Sequence, residues 1–385
     1  MKISQAENSL LTNEYGKIAE FSNNGGEKHK MQLLENVIER RKSKEIRTEK
    51  EIPVRYPNNP ILSAKDIPYP AVQIFNAGVT KFRGKYVMAF RNDYGRTKAD
   101  FQRREAAGLK GFPPVNINIG MAVSDDGIHW QVSPKPCFEL HDNEIQRAYD
   151  PRLTVVDGRC YMCFAVDTNH GIRGGIAVTD DFEKFEILNM TTPDNRNMVL
   201  FPEKIAGKFV RLERPFPVYG RTEVETFDIW ISNSPDGRYW GNNQLLLGAE
   251  KVPFCNGKIG PAAPPIKTDR GWLTTFHAVR KVDHEIPAWH RGWNKIYYGG
   301  LMLLDLHDPS QVIGLCQQPL LTPRAPYEMD GFRGETIFPG GMILEDSGEV
   351  KIYYGAADTV ECLATASVNE LLDACLNSCF PPRCQ

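Results

Sequence analysis

The chain is nearly without net charge: its 46 Lys and Arg and 48 Asp and Glu leave −2 at pH 7. Nucleic-acid binders normally carry a strong basic excess, so no nucleic-acid partner is expected, and basic residues with a role must form a local cluster. Long apolar runs are also missing; none approaches the ~20 residues that cross a bilayer as a helix. The opening MKISQAENSLLTNEYG lacks the positive, apolar and small-residue succession of a secretory leader. Cysteine is present but unpatterned. Nine residues at scattered spacings predict reduced thiols, and with no leader they predict a cytoplasmic protein that keeps clear of membranes. Cys160 and Cys163 fall inside an apolar strand and read as core packing. Cys375, Cys379 and Cys384 in CLNSCFPPRCQ have no His partner or second pair, so no metal is expected there.

Helical periodicity is scarce too. It is clear only over residues 27–50, where Met31, Leu34, Val37 and Ile38 make a narrow apolar stripe among charges. Such a helix cannot build a core alone, so it is expected to pack on the domain behind it or on a neighbouring subunit. From about residue 55 the chain turns to short β-like runs and glycine turns. FNAGVTKFRGKYVMAFRND begins at Phe75 and YDPRLTVVDGRCYMCFAVD at Tyr149. FPEKIAGKFVRLERP begins at Phe201, IGPAAPPIKTDRGWLTTFHAV at Ile259 and FPGGMILEDSGEVKIYYGAAD at Phe338. Each copy is followed by a second strand pair, truncated in the last as CLATASV. Four strands per unit, five units and no βαβ alternation predict an all-β, five-bladed β-propeller. The expected division is an N-terminal helical extension over 1–54, the propeller over 55–370 and a tail over 371–385. The insert 96–116 interrupts the first blade and is long enough to suggest a functional or oligomeric role.

Inner strands of a propeller converge on its axis, so the copies show which polar residues meet there. Arg91 and Arg214 each lie seven residues after a turn glycine, His277 lies six after Gly271, and Asp358 ends the matching strand of the last copy. Asn76 of the first copy matches Asp150 of the second. A residue before proline is pushed towards an extended conformation, which predicts that Pro151 aims Asp150 into the channel from the start of a strand. The third and fourth copies add Arg196, Asn197, Arg214, Lys258 and His277, a cluster suited to phosphate or carboxylate. An alternative has these cations paired with Glu203, Glu213, Glu223 or Glu225. A glycosidase of the usual kind needs two carboxyl groups, whereas phosphate is already nucleophilic and needs one acid opposite it plus cations to hold it. One acid beside several cations fits phosphorolysis better than hydrolysis.

These segments (FNAG with FRND, YDPRL, NRN with RLERP, NGKIGP with FHAV, and YYGAAD) resemble glycoside hydrolase family 130, the β-mannoside phosphorylases, over about residues 55–370. The extension and the GLKGFPPVN insert look most like the subgroup acting on 4-O-β-D-mannosyl-D-glucose. The resemblance implies a glycosyltransferase of the phosphorylase type: mannosyl-glucose and phosphate give α-mannose 1-phosphate and glucose reversibly, with no cofactor beyond phosphate as co-substrate. It implies Asp150 as general acid, acting through the mannose 3-hydroxyl. Arg196, Asn197, Arg214, Lys258 and His277 would bind phosphate, and Asn76, Arg91 and Asp358 the mannosyl unit. Some relatives have Ser where this chain has Ala77, so one hydrogen bond is in question. Oligomers are expected from the family as well.

Overall fold

In the first three blades the hairpin of the first two strands forms because its tip carries a two-residue turn with both residues in the left-handed region. In the computed structural model, which describes residues 52–217 and 227–377, these are Arg83–Gly84 (φ 50° and 79°), Asp157–Gly158 (49° and 77°) and Ala206–Gly207 (48° and 75°). Such turns match the twist of the strands they join. The expected helix over 27–50, Cys379 and Cys384 lie outside the described residues.

A two-residue strand, β1 (Val54–Arg55), comes first. The first blade is β2 (Gln73–Phe82), β3 (Lys85–Tyr94), β4 (Asn116–Ser124) and β5 (Gln131–Val132). The second is β6 (Ile145–Val156), β7 (Arg159–Thr168), β8 (Gly171–Thr179) and β9 (Glu186–Met190). The third is β10 (Asn195–Leu200), β11 (Phe209–Pro215), β12 (Ile229–Ser234) and β13 (Gly241–Leu247). The fourth has β14 (Lys258–Pro261) and β15 (Ile266–Thr268) paired one after the other along β16 (Gly271–Lys281), then β17 (Lys295–Leu304) and β18 (Val312–Leu315). The fifth is β19 (Ile337–Leu344), β20 (Glu349–Ala356) and β21 (Val360–Ser367), and β1 pairs with β21 as its fourth strand. The short last copy is thus completed from the other end of the propeller, which closes the ring and protects its edges.

Five apolar seams hold the blades together, one between each neighbouring pair. Met162 and Phe164 meet Val87 and Ala89 between the first two blades, and Leu200 and Phe209 meet Val156 and Tyr161 at the next. Trp272 packs with Phe201 and Leu212, Leu301 with Ile352, and Tyr353 with Ile74 and Met88. Cys160 and Cys163 are three residues apart on β7 and so face opposite seams, both buried.

The expected boundaries shift. The compact unit begins at Ile52 rather than 55, so position 54 belongs to the last blade. The boundary at 370 cuts a helix. Besides α1 (Lys98–Ala106) in the first-blade insert and the short α2 (Pro326–Met329), a third helix, α3 (Val368–Leu376), buries Leu371, Leu372 and Cys375 in the seam between blades four and five. Cys375 is therefore core.

Candidate active site

The site starts from irregularities in the inner strands. β2, β6 and β10 each carry one extra residue opposite the second strand, between Phe75 and Gly78, Tyr149 and Arg152, and Arg196 and Val199. The extra residue takes left-handed φ: 55° at Asn76, 54° at Asp150 and 57° at Asn197. Asn and Asp tolerate this region better than other side chains, and a bulge re-aims its side chain. Asp150 is therefore not extended, and it lies in mid-strand rather than at a strand start. The pull of Pro151 towards an extended predecessor is overridden by the bulge. β19 has the same irregularity at Gly340, where a Cβ would lie 1.9 Å from the Ala77 carbonyl oxygen, so that bulge contributes no side chain.

Second strands supply Arg91, Arg214 and His277, which stand in register with Phe75, Arg196 and Gly260. Lys258 opens β14. Asp358 sits two residues beyond β20, in the turn to β21 with φ 49°, and not on the strand. All nine residues line one cavity, together with Trp293, Tyr297, Arg333, Thr336 and Phe338.

On one side of the cavity every charge has a counter-charge. Asp150 Oδ1 accepts from Asn76 Nδ2 at 3.1 Å and Arg91 Nη1 at 3.3 Å, leaving Oδ2 as the oxygen not taken by these donors. Arg91 in turn is held by Asp93 through two bonds of 2.6 and 2.9 Å and lies between the rings of Phe75 and Tyr149. Arg333 donates to Asp358 at 3.2 Å. Burial pushes the Asp150 carboxyl up, but Arg91, Arg152, the Asn76 bond and Arg196 outweigh it, so its pKa falls below the ordinary value. Burial wins at Asp358, with Asp150 and Asp93 adding repulsion, so its pKa rises.

The other side is cationic, without a carboxylate in contact among the described residues. Arg214 lies over the rings of Phe216 and Phe227 at 5.2 and 5.4 Å, Arg196 over Phe216 at 5.5 Å, and Lys258 over Tyr297 at 5.4 Å. Arg214 Nη1 lies 3.1 Å from His277 Nε2. A guanidinium only donates, so Nε2 accepts and the imidazole proton is assigned to Nδ1. Arg196 Nε, Arg214 Nε, Asn197 Oδ1 and His277 Nδ1 are buried with no hydrogen-bond partner among the described residues. Burial followed by the Arg196 charge lowers Arg214 to about 9. Burial and the neighbouring arginines hold Lys258 and His277 well below their usual values.

The model of the glycoside hydrolase 130 family, described as beta-1,4-mannooligosaccharide phosphorylase, matches residues 39–377. The chain belongs to family 130. It is 31% identical over 336 residues to the beta-1,4-mannooligosaccharide phosphorylase of Ruminococcus albus, covering 84% of this chain and 91% of that protein. It is 28% identical over 334 residues to the 4-O-beta-D-mannosyl-D-glucose phosphorylase of Bacteroides fragilis, covering 79% and 75%. The solved beta-1,2-mannobiose phosphorylase of Listeria innocua, in complex with beta-1,2-mannobiose, superposes with a TM-score of 0.71 at 27% identity, covering 84% of this chain and 99% of that one.

In this family 130 chain, sequence reasoning found nine lining residues and missed five. Trp293, Tyr297, Arg333, Thr336 and Phe338 come from the β16–β17 and β18–β19 connections and the strand ends beside them, where the repeat loses its spacing. The proposed pairing with glutamates does not occur among the described residues: Glu203 binds Lys267, and Glu213 binds Arg211 with Asn195 and Ser232. Glu223 and Glu225 lie outside the described residues. Ala77 does not line the cavity; it is buried in the seam between blades one and five. The 96–116 insert contributes no lining residue, but its Arg96 reaches Asp93 at 3.4 Å, behind Arg91.

Proposed function

We propose that the chain carries out reversible, inverting phosphorolysis of a β-mannoside, releasing α-mannose 1-phosphate. One observation carries this reading: the two carboxyl groups of the cavity, Asp150 and Asp358, are each held by an arginine, and they share the cavity with a separate cation group that touches no carboxylate among the described residues. Arg196, Asn197, Arg214, Lys258 and His277 hold phosphate, while Asn76, Arg91 and Asp358 hold the mannosyl unit. A phosphate oxygen attacks the anomeric carbon from the face opposite the leaving group. The glycosidic C–O bond breaks, and the departing oxygen gains the Asp150 proton by way of the mannose 3-hydroxyl. No cofactor is needed, since the cations offset the charge of the nucleophile.

An acid whose pKa is lowered is ionised at neutral pH in the empty site, so it must be loaded. A bound phosphate dianion offsets Arg196 and its neighbours, which raises the proton affinity of Asp150. Phosphate thus brings both nucleophile and working acid. In the synthetic direction the ionised carboxylate is already the base that the acceptor hydroxyl requires.

For the acceptor we propose glucose, on the likeness of the insert to the mannosylglucose subgroup. A second reading, β-1,4-mannooligosaccharides, is favoured by the 31% identity to the Ruminococcus albus protein. Incubation with mannosyl-glucose is expected to release mannose 1-phosphate only when phosphate is present; equal release of free mannose without phosphate would sink the phosphorylase reading. With mannose 1-phosphate as donor, faster synthesis on glucose than on mannose or mannobiose selects the first acceptor, and the reverse order selects the second.

A further inference from the structure

Arg152 lies beneath the acid and touches no substrate-facing space. It is almost fully buried, and every bond it makes goes to a backbone carbonyl. Nη1 donates to Asn76 O at 2.9 Å and Pro151 O at 2.7 Å, Nε to Ala262 O at 2.6 Å, and Nη2 to Pro339 O at 3.5 Å. These carbonyls belong to blades one, two, four and five. Glu361, also fully buried, accepts from the Ala77 N–H at 3.2 Å. Asn76 O and Ala77 N–H are the two ends of one peptide unit. That peptide is gripped by Arg152 on its oxygen and by Glu361 on its nitrogen. Blade five closes the remaining side: a Cβ at Gly355 would stand 2.6 Å from Asn76 Oδ1.

We propose that Arg152 and Glu361 are positioning residues, a clamp that fixes the left-handed bulges of β2 and β6 and so sets Asn76 and Asp150 against each other. The left-handed region is a minority conformation even for Asn and Asp, so the bulges persist only where surroundings over-determine them. The clamp supplies that determination from below, while the cavity face stays free for ligand. Arg152 also places an uncancelled guanidinium near Asp150 and contributes to keeping it ionised in the empty site. Burial raises Glu361 to about 8, so at neutral pH it is chiefly a neutral acid that accepts through one oxygen, a task glutamine can share.

The proposal rests on Asp150 as general acid, and its test separates the two claims. Arg152→Lys keeps the cation but cannot reach four carbonyls. It should lose about 10–100-fold in kcat, the scale of a misplaced catalytic group, with KM for phosphate changed less than about 3-fold. Arg152→Gln removes the charge, so Asp150 holds its proton to higher pH and the alkaline limb of the kcat profile moves up, whereas Arg152→Lys leaves that limb nearly in place. Glu361→Met should cost about 10-fold in kcat while Glu361→Gln stays near wild type. Folded variants with unchanged kcat and pH limb, or with all loss in phosphate KM, overturn the clamp. Where a variant does not fold, hydrogen exchange in the wild-type protein decides: Ala77 N–H should exchange as slowly as the β2 ladder amides, and fast exchange overturns the proposal. A fully active Asp150→Asn protein instead removes the acid and leaves the clamp a purely structural device.

Discussion

The two sides of the cavity treat charge in opposite ways. Around Asp150 and Asp358 each carboxylate faces an arginine, and Arg91 is further held by Asp93. Around Arg214 the cations lie on aromatic faces and on each other's fields, with no carboxylate in contact among the described residues. The first arrangement is complete without ligand and suits a neutral sugar, which needs oriented hydrogen bonds rather than charge. The second is complete only when an anion arrives. A pocket uniform in charge would either repel its own acid's proton at all times or fail to hold phosphate. On the proposed function, splitting the cavity would let one ligand's charge switch the other side's chemistry.

Breaking the acid should give the largest effect. Asp150→Asn keeps the shape that Asn76 already shows a left-handed bulge tolerates, so the fold should survive. Loss of the transferable proton is expected to reduce kcat by about 10²–10³-fold, measured as mannose 1-phosphate released under saturating phosphate. Retained activity would return Asp150 to a structural part. Next comes Arg214→Met, which removes the most enclosed cation opposite. It should raise KM for phosphate by roughly 10–100-fold, the range for losing a charge-assisted bond. Unchanged KM for phosphate, with KM for the mannoside raised instead, would reverse the assignment of the two sides.

Much of this division was legible in the sequence because a propeller repeats itself. The pairs Arg83–Gly84, Asp157–Gly158 and Ala206–Gly207 marked hairpin tips, and counting from them placed Arg91 and Arg214 together. Asn76 and Asp150 matched by position for the same reason. The bulge itself was not legible. An extra residue breaks the two-residue period without a composition signal of its own, so the proline rule misassigned the backbone at Asp150, and Asn197 was grouped by charge rather than as the third equivalent residue. Trp293, Tyr297 and Arg333 escaped because the fourth blade divides its inner edge between β14 and β15, and long connections carry these side chains in. The closing strand β1 was hidden by its two-residue length.

Stability offers a finer test, since deleting a charge should act with opposite sign on the two sides. Asp93→Asn leaves Arg91 and Arg96 with a neutral partner in a buried place, and breaking such a pair costs roughly 3 kcal/mol. Its melting temperature should fall by several degrees, and KM for the mannoside should rise as Arg91 loosens. An unchanged melting temperature would mean that the sugar side is not held by its ion pairs.

Lys258→Met should do the reverse by a smaller amount. Lys258 titrates well below 10.5 in the folded protein, so between its folded pKa and 10.5 the unfolded chain binds more protons, and stability falls as pH falls across that window. Below the folded pKa the penalty is constant and at its greatest. Methionine removes it. In phosphate-free buffer Lys258→Met should melt about 1–3 °C above wild type near neutral pH, with the difference shrinking towards pH 10.5. Added phosphate should erase or invert the gain, because the wild-type cation then has the partner that stabilises it and methionine does not. A variant that melts below wild type without phosphate would show that Lys258 is already compensated, and the contrast between the two sides would lose its physical basis.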